Sequence, residues 1–131
     1  MFKRIFITYT KQNPKNDEVY SGRASGEDTG SVNDIDRILA KRDSSHHKNE
    51  EGFGNAEVDR FSNDGDAIRG QEQRLIDFYG GAKSEGGTSG NTRNGIGKRN
   101  KKRDQYLEAA IKLFGSVLIL LAIFFGLKNI L

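Results

Sequence analysis

Hydrophobic and polar positions alternate first near the N-terminus. In Ile5-Phe6-Ile7-Thr8-Tyr9-Thr10, β-branched and aromatic residues follow one another as a half-buried strand requires. A second strand-like run, Glu18-Val19-Tyr20-Ser21, comes after Asn13-Pro14-Lys15-Asn16-Asp17, whose Asn-Pro and Asn-Asp pairs carry turn chemistry. Together they predict a β-hairpin with Tyr9 on one arm and Tyr20 on the other. Tyrosines so placed are most often core or interface residues.

The period then lengthens to that of a helix. Val32, Ile35, Ile38 and Leu39 share a face of a helix near 33–42 that Asn33 or Asp34 can cap. If it continues, Arg42 and His46, four apart, lie on one side. The neighbouring pair His46-His47, in a polar stretch, reads first as solvated side chains. A second helix, 67–79, is capped by Asp66 and ended by Gly80-Gly81. Its apolar stripe is Ile68, Leu75, Ile76 and Tyr79, and Glu72 falls inside that stripe. A carboxylate there must be paired (Arg42 and Arg69 are the expected partners), bound to a cation, or turned into a cleft. Residues 22–31, 52–65 and 80–97 read as loops, the last as a flexible Gly-, Ser-, Thr- and Asn-rich connection. A third helix from about 104 carries Tyr106, Leu107, Ala110, Ile111 and Phe114.

That helix runs into LFGSVLILLAIFFGL, residues 113–127, which contain no charge. Extended over 109–131, the segment reaches membrane length at about 1.5 Å per residue against a hydrocarbon core of roughly 30 Å. Lys112 and Lys128 then snorkel at its ends. The expectation is a single C-terminal transmembrane helix. Lys98, Arg99, Lys101, Lys102 and Arg103 precede it and place the N-terminal domain in the cytoplasm by the positive-inside rule. The same cluster suits anionic lipid or nucleic acid.

At 131 residues the chain holds one domain and little else. The absence of Cys excludes disulfides and thiolate metal sites. Net charge is only +3, so the clustering of the basic residues matters more than their excess. The apolar run after Arg4 is too short for a secretory signal. Asn63-Asp64-Gly65-Asp66 lacks the earlier acidic positions of a calcium loop, and the glycine-rich stretch is no Walker loop.

The polar residues, taken in order, resemble the GIY-YIG endonuclease family. Thr8-Tyr9-Thr10 stands for its first triplet and Tyr20-Ser21-Gly22 for its second. Arg42 and His46 match its arginine and the histidine four positions on, Glu72 in EQRLIDFYGG its helical glutamate, and Asn91 its asparagine. The likeness covers about residues 2–115. It is strongest to nuclease toxin domains at the C-termini of bacterial polymorphic proteins, including those with Rhs repeats. The first triplet lacks the family's glycine and isoleucine, and Ser21 stands where isoleucine is usual. The segment from Tyr20 to Arg42 is long, which leaves Arg23 and Arg37 as alternatives for the arginine.

The resemblance implies an α+β fold, a small antiparallel sheet with flanking helices over 1–104, with 105–131 the helix that continues into the membrane. It implies hydrolysis of nucleic-acid phosphodiesters, DNA favoured over RNA, with Mg²⁺ (or Mn²⁺) held by Glu72. Arg42 would clamp phosphate, and Tyr9 or Tyr20 would help activate the nucleophile. His46 or His47 would assist proton transfer, and Asn91 would position a neighbouring group. A toxin of this kind also implies a neutralising immunity protein. The other readings are a catalytically inactive, tail-anchored nucleic-acid-binding protein and a membrane adaptor.

Overall fold

The computed structural model describes residues 3–115. The alternation seen in the first apolar run persists for nine residues as β1 (Arg4–Gln12), which buries Ile5, Ile7, Tyr9 and Lys11 on one face. The turn forms as its residue types dictate. Asn13 Oδ1 accepts from the Lys15 backbone at 3.0 Å, Asn16 Oδ1 accepts from Glu18 at 3.0 Å, and Asp17 takes φ 60°.

β2 (Val19–Glu27) pairs antiparallel along all of β1, from Gln12 opposite Val19 to Arg4 opposite Glu27. It therefore continues through residues 22–27, where the sequence suggests a loop. Gly22 and Gly26 hide the strand because nothing larger fits. A Cβ at Gly22 would stand 2.5 Å from the Tyr9 hydroxyl, and one at Gly26 2.7 Å from Ile38 Cγ1.

β3 (Glu57–Ser62) completes a three-stranded antiparallel sheet in the order β2-β1-β3, within the stretch read as loop. Its Val58 and Phe61 are exposed, so no alternating burial announces it. A bulge interrupts its pairing at Thr8/Tyr9. Thr8 Oγ1 patches it, accepting from the Arg60 backbone at 3.1 Å and donating to Asp59 Oδ2 at 2.8 Å. Bulges of this kind re-aim the next side chain, here Tyr9.

α1 (Asp34–Asp43) packs Ile38 and Leu39 on the Ile5, Ile7 and Tyr9 face. α2 (Gly65–Phe78) lies on the other face, with the Phe6 ring against Gly65. Its cap is Asp64, which accepts from Asp66 and Ala67, rather than the expected Asp66. α3 (Arg103–Phe114) runs along α2 and not on the sheet. The two helices meet where Gly70 abuts the Tyr106 carbonyl, a contact that no Cβ permits. The α+β class and flanking helices are therefore as expected. No described helix is long and apolar enough to cross a membrane. Of the expected transmembrane segment, 109–131, residues 116–131 lie outside the described residues.

Candidate active site

The hairpin register sets the site. Tyr9 lies opposite Gly22, and the ring of Tyr9 passes over that glycine toward Tyr20, with ring centroids 6.3 Å apart. α1 ends at Asp43, so His46 reaches the tyrosines from the turn beyond the helix, not from its face. His46 Nε2 lies 2.8 Å from the Tyr9 hydroxyl, and the imidazole meets Tyr20 edge-on at 5.0 Å. His47 stacks on His46 at 4.6 Å.

The tautomer of His46 follows from its other nitrogen. The Lys48 backbone N–H donates to Nδ1 at 3.1 Å, so the neutral ring carries its proton on Nε2 and donates it to Tyr9. This leaves the Tyr9 proton to point elsewhere. It also makes His46 a stabiliser of a Tyr9 phenolate. Burial first, then the charge of Arg42, pushes the His46 pKa down to about 4 from 6.5. Tyr9 and Tyr20 are shifted up, chiefly by burial. Tyr20 also feels Glu72, while Arg42 works in the opposite direction on both. At neutral pH the cluster is two phenols and a neutral imidazole.

One pH effect follows. His46 binds its proton more weakly folded than unfolded, so between pH 6.5 and about 4 the unfolded chain takes up more protons. Stability from this group is intact above 6.5 and lost as pH falls through that window. Denaturation midpoints should therefore fall more steeply with acid for the wild type than for His46→Gln. Parallel curves would contradict the assignment.

Across the edge strand, Glu72 is buried in the α2 stripe as the sequence predicts, but its partner is Arg23, not Arg42 or Arg69. Arg23 Nε donates to Oε1 at 3.1 Å. Arg23 stands opposite Thr8 in the hairpin and so shares the face on which α2 packs. Oε2 accepts no hydrogen bond from a described residue. Burial raises the Glu72 pKa, and Arg23 only partly offsets this. Gly95 lies so close to Glu72 Oε1 that a side chain there would displace the carboxylate. Glu72, Arg23, Arg42 and Tyr20 line one cleft of about 470 Å³, with Phe6 and Ile68 as apolar walls. Arg42 forms no ion pair with a described residue and is available to an anion.

Asn91 does not face this cleft as a free amide. Its Oδ1 accepts from Ser21 N and its Nδ2 donates to Ser21 O, both at 2.8 Å. Gly90 N donates to Val19 O at 2.8 Å. The loop read as a flexible connection thus serves as a neighbour to the outer edge of β2 and fixes the backbone between Tyr20 and Gly22. Asn94 turns to α2, where its Oδ1 accepts from Gln73 at 2.9 Å.

Two further residues support the site and were not singled out from sequence. Lys11, fully buried, reaches Asp43 at 2.5 Å and Asn49 at 2.9 Å. Asp43 Oδ2 accepts from the Ala56 backbone at 2.7 Å. Lys11 thus ties β1 to both ends of the segment that carries His46. Among the described residues no group of three or more His, Asp or Glu side chains could enclose a metal ion. A single carboxylate with a free oxygen beside a cleft suits Mg²⁺, which keeps most of its water shell. Comparison with family models, curated proteins and solved structures finds no match.

Proposed function

We propose that this chain is a divalent-metal-dependent endonuclease of the GIY-YIG type, cleaving nucleic-acid phosphodiesters as bacterial toxin domains do. The observation that carries the reading is the convergence of Tyr9, Tyr20, His46, Arg42 and Glu72 around one hairpin, although these residues are spread over 64 positions from 9 to 72. Glu72 would hold Mg²⁺ (or Mn²⁺), which when bound neutralises charge developing on the phosphate. Arg42 clamps phosphate oxygens with its planar fork. A tyrosine that has first released its phenol proton to solvent takes a proton from water as the water oxygen bonds to phosphorus. The bond from phosphorus to the leaving sugar oxygen breaks, and that oxygen takes up a proton from solvent. His46 donates from Nε2 to Tyr9 and lowers the cost of that phenolate. Asn91 positions Tyr20 through the backbone of Ser21. DNA is the preferred substrate, the C-terminal segment tethers the domain to a membrane from the cytoplasmic side, and an immunity protein is its natural inhibitor.

Removal of the Arg42 fork tests this. With Mg²⁺, the full chain should cleave plasmid DNA faster than total RNA. Arg42→Ala should cleave about 10²-fold more slowly, a loss of roughly 3 kcal/mol. Arg42→Lys should recover only part, because a point charge cannot bind two oxygens at once. Wild-type rates in Arg42→Ala would contradict the reading. A second reading, nucleic-acid binding without cleavage, is favoured by the Arg23 ion pair that already occupies one oxygen of Glu72. Tight binding with no product selects it.

A further inference from the structure

The cleft beside Glu72 shares wall residues with two further hollows. On one side, a groove of about 470 Å³ runs between β2 and α1 and shares Ala24, Ser25 and Arg42 with it. Its cations are Arg4, Arg37, Lys41 and Arg42, against a single carboxylate, Glu27. Its floor exists because Gly26 lets Ile38 approach β2. Arg37 is already engaged by Asp34, while Lys41 is exposed and forms no ion pair with a described residue. On the other side, a cavity of about 310 Å³ shares Tyr20 with the cleft and adds His47, Lys48 and Arg93. Lys48 is paired with Glu51, while Arg93 is exposed and forms no ion pair with a described residue.

From this we infer that the three hollows form one track for a phosphodiester backbone. Phosphates on one flank of the scissile bond rest on Lys41, and those on the other flank rest on Arg93. The inference rests on the endonuclease reading for its central phosphate. Cations on both sides of Tyr20 fit a polymer that passes through, as internal cleavage needs, better than one that ends there. A flat anionic membrane could not follow a path that bends over the edge of β2 into the cleft beside Glu72.

The test is binding of a 20-base-pair DNA duplex to the full chain in EDTA, across a salt series. Each neutralised phosphate contributes about 0.9 to the slope of log affinity against log salt. Lys41→Ala and Arg93→Ala should each lower that slope by about 1 and weaken binding five- to tenfold at 0.1 M salt. Lys41→Arg and Arg93→Lys should restore both. Hydrolysis of bis(4-nitrophenyl) phosphate, too small to reach either flank, should be unchanged in the Ala variants. Wild-type affinity and slope in both Ala variants would overturn the track even if Glu72→Gln abolishes cleavage, and so would failure of the wild type to bind the duplex. Loss of binding to phosphatidylglycerol vesicles with duplex binding intact would assign the cations to lipid and also overturn it. Normal slope changes without any hydrolysis would leave the track standing and remove the endonuclease reading instead.

Discussion

Glu72→Gln should abolish cleavage while making the domain more resistant to denaturation at neutral pH. The first half follows from the loss of the only cleft carboxylate that the resemblance assigns to a metal. A metal in this role supplies several kcal/mol of transition-state stabilisation, so the rate should fall by at least about 10³-fold. The second half follows from burial. The Glu72 carboxyl is shifted upward in the fold, so its ionised form is less favourable there than in the unfolded chain. The unfavourable contribution is therefore present above the folded pKa and vanishes as pH falls below the unfolded value. Gln keeps the shape and can still accept from Arg23 without the buried charge. The stabilisation should be seen in denaturant midpoints at pH 7 and disappear in acid. A Gln variant that lost both activity and stability would mark Glu72 as a structural ion-pair partner.

Lys11→Ala should destabilise the protein by about 3–5 kcal/mol, enough to unfold much of a domain of this size. The ammonium is wholly buried and donates hydrogen bonds to Asp43 and Asn49. Truncation leaves Asp43 facing a cavity, with a charge that only the Ala56 backbone partly satisfies. The segment between α1 and β3 would lose its anchor to β1, and the contact of His46 with Tyr9 would go with it. Urea denaturation measures the first effect directly. A change below about 1 kcal/mol would show that solvent reaches this pair and that it holds nothing in place.

The sequence was most informative where a period was present. The hairpin follows from β-branched alternation and from turn residues that bond as their side chains allow. The helical stripe of α2 placed Glu72 inside, and there it lies. The extension of β2 was hidden by glycines whose lack of side chain is its function, since they admit Tyr9 and Ile38. β3 was hidden because its apolar residues face outward and its Asp59 is spent on a bulge. Arg23 as the partner of Glu72 could not be read before the register was known. Once Thr8 is opposite Arg23, the face shared with α2 follows. Helical spacing grouped Arg42 with His46 for a reason that does not hold, since α1 stops between them. Asn91 sat in a stretch whose composition suggests a linker, yet its amide substitutes for a missing strand neighbour.

Nicking of supercoiled plasmid by the full chain over a Mg²⁺ titration, beside Glu72→Gln and an EDTA control, decides whether Glu72 serves a nuclease. Open-circular and then linear DNA should appear only with the cation and never with the variant. Intact plasmid from a folded wild-type protein, or equal nicking by Glu72→Gln, would contradict that role.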